Sequence, residues 1–364
     1  MGDLEDAGLA VSRVGGSSQR PRAHSFAPPR SYMGDMTDWR ASAYLDAARA
    51  GDRDAFGALA EIHRRELLLH SYRLLGSLDA AEDVVQETLL RAWQHLDRFQ
   101  GNRLFRAWLY KIATNASLDV LASRPHPALR RHLTEPDATE LTWLQPFPDA
   151  QLPSTAASPE THFLARESIT LAFVVLLQAL PPRQRAILVL RDVLDWSARE
   201  VAALLETSVP SVESALHRAR VTLSRYQVLA EVQPSLVEGS TRALLEQYVQ
   251  AWEHEDIDTL TRLLHADAHL NMPPRPDTYH GPAAIVAFWH ELRRDEARQS
   301  WRLLPTRANT QPAFAFYHRA PGATTFDAHG ILVLHVADEH IDRLTMFLEP
   351  GLFAHFQLPA SLPR

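Results

Sequence analysis

Residues 196–226 read WSAREVAALLETSVPSVESALHRARVTLSRY, and the rest of the chain is organised around them. Ser197 followed three residues later by Glu200 is a capping box: the hydroxyl can accept from the Glu200 amide while the carboxylate reaches back to the Ser197 amide, so the spacing predicts that a short helix starts here. Val201, Ala202, Leu204 and Leu205 fall on one face of it. A polar break, Glu206 to Ser208, precedes Pro210 and a second amphipathic run carrying Val212, Ala215, Leu216, Ala219 and Leu223. Two short helices joined by a tight polar turn make the helix-turn-helix pattern. The second helix turns Ser211, Ser214, His217, Arg218 and Arg220 away from the apolar stripe, and such side chains can reach base edges and phosphates from the major groove. An ordinary helical hairpin with a solvated polar face fits the same pattern.

The preceding segment, LPPRQRAILVLRDVLDWSAREVA from Leu180 to Ala202, continues the pattern upstream. Together with the terminal HRAR, His217 to Arg220, it resembles region 4 of the sigma-70 superfamily, in the extracytoplasmic-function group. That resemblance implies that Arg199, Ser211, Ser214, His217, Arg218 and Arg220 read the minus-35 promoter element.

With 364 residues the chain predicts two or three domains. The formal net charge of -7 is unusual for a nucleic-acid binder, because phosphate affinity comes largely from counterion release by Arg and Lys. Any DNA contact is therefore left to local patches or to a partner that carries most of the affinity. The absence of cysteine excludes disulfides, thiolate metal sites and Cys nucleophiles. No apolar run is long enough to span a bilayer and no apolar signal core opens the sequence, so a soluble cytoplasmic protein with no membrane contact is expected.

Residues 1–38 are rich in Gly, Ser, Arg and Pro without hydrophobic period and are expected to be a disordered tail. Residues 39–124 are helical in pattern. In AEDVVQETLLRAW, Ala81, Val84, Val85, Leu89 and Trp93 form a stripe to bury, and the opposite face is mainly acidic. By itself such a face is merely solvated. Its order is similar to sigma region 2.2, which implies that Asp83, Gln86, Glu87 and Arg91 dock on the clamp helices of the polymerase beta-prime subunit. FQGNRLFRAWLYKIATNASLDVLASR, Phe99 to Arg124, interleaves aromatic and basic residues, a combination suited to unstacked single-stranded DNA. Core packing competes for the same rings, Trp108 among them with Ile112 and Leu118. The stretch resembles sigma regions 2.3 and 2.4, implying Gln100, Asn102, Arg103, Asn115 and Arg124 as minus-10 contacts.

Residues 125–159 are Pro-rich and aperiodic, a linker in which TWLQPFPD, Thr142 to Asp149, is the candidate ordered part. By the resemblance this linker threads the polymerase active-site channel. Residues 160–228 form the second helical domain, whose first helix is expected over Glu160 to Leu180, and 229–238 a short second linker.

Residues 239–364 begin with a helix, LLEQYVQAWEHEDIDTLTRLL, and end in strand-like runs with clear alternation over Gly330–Val336 and Arg343–Leu348. Helices first and antiparallel strands later predict an α+β domain. Ala251–Trp252, LLHADA (Leu263 to Ala268), MPP (Met272 to Pro274) and YHGPAAIVAFW (Tyr279 to Trp289) resemble the SnoaL-like, ketosteroid-isomerase-like cone, in which a curved sheet wraps helices around an apolar pocket. Trp252, Met272, Tyr279, Phe288, Trp289, Phe316, His329 and Phe347 are the candidate lining for a small apolar ligand, although each of these side chains can equally fill a core. Asp267, His269, Tyr279, His280, Asp327 and His329 could serve an isomerase, but they make no diagnostic spacing. His265 and His269, four residues apart, are the only hint of a metal pair.

The fold class expected is thus multi-domain: two all-α sigma-like domains, the second with the helix-turn-helix, then an α+β cone. The function expected is a transcription initiation factor that binds core RNA polymerase, beta flap as well as clamp helices, and promoter DNA. No enzyme activity, catalytic residue, metal or cofactor is expected, and the C-terminal domain would modulate output. Some sigma factors with such extensions carry a DGGG-type linker motif, which is absent here. A ligand-responsive DNA-binding repressor and an isomerase- or cyclase-like enzyme with a DNA-binding half are the rival classes.

Overall fold

The computed structural model describes residues 38–99, 105–123, 144–153, 168–227, 238–273, 275, 277–295 and 300–364. The expected N-terminal tail, and with it most of both linkers, lies outside the described residues.

The first helical unit consists of α1 (Asp38–Arg49), α2 (Arg53–Leu75), α3 (Leu78–Gln94) and α4 (Phe105–Ser123). Asp52 starts α2 by accepting from the amides of Asp54 and Ala55 at 2.9 and 3.0 Å. Gly76 stops it with a left-handed φ of +73°, and a side chain there would also meet Gln178, whose Cδ lies 3.2 Å from the position a Cβ would take. From Leu67 to Leu75 every residue of α2 is buried. The reason is that α2 is covered twice, by α3 and α4 of its own unit and by the second unit.

That second unit comprises α5 (Leu171–Gln178), α6 (Pro182–Leu188) running into a π-turn at Val189–Val193, α7 (Ala198–Leu204) and α8 (Val209–Gln227). The helix expected from Glu160 appears among described residues only as α5, which Thr170 caps by accepting from the Phe173 amide at 3.4 Å. The two units are locked by buried arginines. Arg185 donates to the carbonyl of Leu74 at the C-terminal end of α2, where the helix dipole is negative, and to the carbonyls of Gln178 and Leu180 at 3.0 and 3.1 Å. Arg73 donates to Ser168 Oγ at 2.7 Å. Burial holds both guanidinium groups below their usual range, at about 9 for Arg185 and about 10 for Arg73, so both remain charged at neutral pH.

The third unit contains α9 (Glu238–Glu253), α10 (Ile257–Arg262), β1 (Leu264–Asn271), β2 (Thr278–His280), α11 (Gly281–Asp295), β3 (Ser300–Ala308), β4 (Gln311–Arg319), β5 (Thr325–Ala337), β6 (His340–Phe347), α12 (Leu352–His355) and β7 (Ser361–Pro363). The single helix expected at its start is two, because Glu255 takes φ +60° and Asp256 caps α10 through the Thr259 amide at 2.9 Å. The sheet order is β2-β1-β6-β5-β4-β3, with β7 beside β5. It is not wholly antiparallel, since β1 and β6 run parallel: α11 and four intervening strands separate them in sequence. His265 and His269 lie on β1, a strand and not a helix, and no metal-ligand cluster occurs among the described residues.

The strands sort their side chains with period two. Phe314, Phe316, Leu332, Leu334 and Leu344 face α9 and α11. Ala313, Ala315, Tyr317, Ile331, Val333 and Phe347 face the other way, into an apolar core continuous with both helical units. The sheet is therefore buried on both faces. No helix among the described residues is long and apolar enough to cross a membrane.

The tip of the β3–β4 hairpin fixes this docking. Asn309 and Thr310 take φ of +54° and +61°, the two left-handed residues of a tight two-residue turn. The wholly buried Asn309 side chain donates to Tyr72 Oη at 3.0 Å and to the Ile169 carbonyl at 2.8 Å, and its Oδ1 accepts from the Phe147 amide at 2.8 Å. The ordered linker segment lies between. Leu144–Pro148 is buried, and Gln145 Oε1 accepts from the amides of Leu78 and Asp79 at 2.8 and 3.0 Å, so the linker caps α3. Farther along the interface, Asp149 meets Arg307 at 3.0 Å, and His355 meets Asp79 at 2.8 Å.

Gly330 is required where β5 crosses β6, because a Cβ there would lie 2.5 Å from the Phe347 carbonyl oxygen. Gly330→Ala is expected to destabilise the chain by about 1–3 kcal/mol through overpacking. Thermal unfolding monitored on the full chain checks this, and an unchanged midpoint would mean the strands can part at that point.

Candidate functional site

On α3 the expected stripe is turned inward, with Ala81, Val84 and Val85 buried and Leu89 and Trp93 partly so. Asp83 and Gln86 are exposed, and Glu87 pairs with Arg91 at 2.6 Å on the same helix. Between them Leu90 is 51% exposed, an apolar side chain set in the polar face. It lies seven residues beyond Asp83 and four beyond Gln86, the helical spacing of one face, and sequence reasoning passed it over as one more apolar residue.

Next to that face Phe99 and Trp108 stack at 4.8 Å and 18°, both partly buried. They line an open hollow with Arg91, His95, Arg98, Ile112 and Asn115. Aromatic rings beside Arg91 and Arg98 are the combination suited to unpaired bases, although Phe105 packs on both rings and Arg49 lies over Phe99 at 5.4 Å. Asn115 is exposed there, whereas Gln100, Asn102, Arg103 and Arg124 lie outside the described residues. Phe105 and Tyr110 are buried in the fold, Ile112 and Leu118 are half-buried, and Arg106 is spent on Glu66 at 2.5 Å.

The capping box is formed: Ser197 N donates to Glu200 Oε2 at 2.7 Å and Glu200 N to Ser197 Oγ at 3.3 Å. Glu206 makes the turn with φ +52°, and Ser208 accepts from the Ser211 amide at 3.3 Å as α8 begins. Val212, Ala215, Leu216, Ala219 and Leu223 are buried, while Arg199, Ser211, Ser214, His217 and Arg218 are exposed. Arg218 donates to Ser214 Oγ at 2.6 Å, which holds it along the helix surface. Arg220 is also exposed but is turned to Asp192 by two bonds of 2.9 and 2.6 Å. Lys111 of α4 meets Glu206 in the helix-turn-helix turn at 2.9 Å.

The third unit encloses a cavity of about 180 Å³ between the sheet and its helices. Trp252, Met272, Phe288, Trp289, Phe316 and His329 line it as expected, joined by Tyr248, Leu270, Arg275, Trp301, Leu332, Leu344, Met346 and Leu348. Two of the expected residues do not. Phe347 points to the opposite face of β6, because its neighbour Met346 points inward, and Tyr279 packs outside against Phe288 at 4.6 Å. Asp267, His280 and Asp327 are likewise absent from the wall, and His269 stacks edge-on against His280 at 4.6 Å.

Three family models match in the order of the three units: Sigma-70 region 2 over residues 59–125, Sigma-70 region 4 over 170–223, and the SnoaL-like domain over 245–344. The chain is 42% identical over 327 residues to the ECF RNA polymerase sigma factor SigG of Mycobacterium tuberculosis, covering 86% of each chain. It belongs to the ECF RNA polymerase sigma factors. The ECF sigma factor SigW of Bacillus subtilis is 30% identical over 50% of this chain and 93% of its own. In fold, the crystal structure of the Mycobacterium tuberculosis sigma factor SigJ matches with a TM-score of 0.54 at 22% identity, over 84% of this chain and 99% of that one.

This sigma factor accordingly directs RNA polymerase to promoters, and polymerase and promoter DNA are its partners. The C-terminal cavity holds a partly buried imidazole. Burial, then His318 and then Arg275, pushes the His329 imidazole down to about 4. A histidine whose folded value lies below its unfolded value of about 6.5 costs stability as pH falls between the two, because the unfolded chain takes up the proton first. Histidine NMR titration of the full chain is expected to show His329 uncharged down to pH 5, and His329→Gln to flatten the loss of stability between about pH 6.5 and 4. A His329 midpoint near 6.5 would mean that the cavity is open to water.

Proposed function

We propose that this sigma factor rests in a closed state held by its C-terminal domain, and that core polymerase opens it for promoter recognition. Asp83, Gln86, Glu87, Leu90 and Arg91 would form the face docked on the beta-prime clamp helices, with the beta flap engaging the second unit. Asn115, with the undescribed Gln100, Asn102, Arg103 and Arg124, would hold the minus-10 strand beside the Phe99–Trp108 stack. Arg199, Ser211, Ser214, His217, Arg218 and Arg220 would read the minus-35 duplex.

The observation that carries the closed state is the direct bond between the two reading units, Lys111 to Glu206 at 2.9 Å. Asn115 is one helical turn from Lys111, about 6 Å along the axis. Ser211 is five residues from Glu206, at most about 18 Å. Promoter elements whose names differ by 25 positions lie about 85 Å apart on duplex DNA at roughly 3.4 Å per base pair. Even with side-chain lengths added, the packed chain spans well under that, so both surfaces are exposed and yet cannot be used together. Gln145 of the linker and Asn309 of the C-terminal domain supply the clamp. The cavity we read as a site for a small ligand. Supporting this, its wall is mostly apolar, and no Asp or Glu among the described residues lines it.

The cysteine-free chain allows labels to be placed at Ala122→Cys and Ser224→Cys for distance measurement by energy transfer. The labels are expected to be close in the free protein and far apart in the promoter complex with core polymerase. Asn309→Ala, and separately Asp149→Ala, should open the free protein and raise run-off transcription several-fold at limiting core polymerase. Labels that stay close in an active promoter complex, or variants that change neither distance nor output, would defeat the closed-state reading.

A further inference from the structure

The cavity wall is mostly apolar, with a few polar groups set in it. Arg275, Tyr248 and Trp301 bring N–H or O–H donors, His329 adds a neutral imidazole, and no carboxylate among the described residues lines it. Arg275 sits exposed at the wall and takes no part in the ion pairs seen among the described residues of the C-terminal domain. Its charge is felt inside, where it acts on His329. The Tyr248 hydroxyl is wholly buried, and its proton finds no acceptor among the described residues; its polar neighbour, the Trp252 indole, can only donate. A buried donor without an acceptor is costly unless something else supplies one.

The volume limits what that can be. At about 180 Å³ the cavity is slightly larger than the roughly 150 Å³ apolar cavity that accommodates benzene in another protein. It fits one ring, or a fused pair, with a short arm. Trp252, Phe288, Trp289 and Phe316 offer aromatic faces and edges on several sides of that space. An anion on the arm is expensive to bury alone but not beside a guanidinium that remains in contact with water and can bond both of its oxygens.

We propose that the C-terminal cavity binds a small aromatic carboxylic acid, its ring among the tryptophans and phenylalanines and its carboxylate on Arg275. The proposal rests on the reading of this cavity as a ligand site and adds the chemical class. Tyr248 donates to an oxygen of the same ligand.

Calorimetric titration of the full chain with phenylacetate and indole-3-acetate, against phenylacetamide and indole-3-acetamide, tests it. The acids are expected to bind at least tenfold more tightly than the amides. Arg275→Gln, a change at an exposed position, should abolish that ratio while leaving amide binding as it was, and Tyr248→Phe should weaken both. Equal affinity of acid and amide for the unaltered chain would overturn the proposal and leave a neutral-ligand site standing. Acid binding indifferent to Arg275→Gln would overturn it by locating the acid elsewhere. No binding of any of the four probes at millimolar concentration would overturn the ligand reading together with the proposal.

Discussion

The side-chain amide of Asn309 is the contact on which the arrangement of the whole chain depends. It joins Tyr72 of the first helical unit, Phe147 of the linker and Ile169 at the entry to the second unit, all from the tip of a hairpin in the C-terminal domain. The position demands one acceptor and two donors at short reach, together with a left-handed backbone. Asparagine alone among the short side chains meets both demands, since aspartate cannot donate and glutamine is one carbon longer. The network continues, for Tyr72 Oη accepts from Asn309 and donates to the Gln145 carbonyl at 2.8 Å. Burial pushes the Tyr72 hydroxyl upward, so it stays a neutral donor at any physiological pH. A buried polar network of this kind contributes more to uniqueness of docking than to raw stability, because each member is expensive if left unpaired.

Because the sheet is covered on both faces, cavity and interface are built from adjacent residues of the same strands. Phe314 and Phe316 face the cavity side, while Ala313, Ala315 and Tyr317, interleaved with them, face the helical units. The same holds on β6, where Met346 lines the cavity and Phe347 packs on the opposite side. A displacement of one face cannot leave the other unmoved, since close-packed interiors transmit strain. The hairpin that carries Asn309 is the turn between β3, which carries Trp301 of the cavity wall, and β4, which carries Phe316.

What could be read from the sequence was local. The Ser197–Glu200 capping box, the inward stripe of α3 and the alternation of β5 are short-range patterns fixed by helical and strand periods, and the structure forms each of them. Alternation also shows which residues share a face, but not what each face meets, and that is why Phe347 was assigned to the wrong side of the sheet. The resemblance of LPPRQRAILVLRDVL and AEDVVQETLLRAW to sigma regions gave the family. Contacts between distant segments left no local trace. Nothing near Asn309 foretells Tyr72, and nothing near Lys111 foretells Glu206. Leu90 was missed for a different reason, since an exposed leucine differs from a buried one only in what lies above it.

The net charge of -7 can now be placed in physical terms. Several of the cations that composition counts are engaged within the packed chain: Arg73 and Arg185 are buried between the helical units, Arg106 is held by Glu66 and Lys111 by Glu206. Each cation so engaged is one fewer counterion released on binding DNA, and affinity falls roughly tenfold for every 1.4 kcal/mol lost. The Lys111 pair spans the two reading units, so separating them frees this lysine beside the Phe99–Trp108 hollow, four residues from Asn115. Opening would then do two things at once, setting the spacing between the DNA-reading surfaces and returning positive charge to one of them. On the proposed closed state, an acidic chain would bind DNA weakly when packed and more strongly once opened on polymerase, with no change in its sequence or net charge.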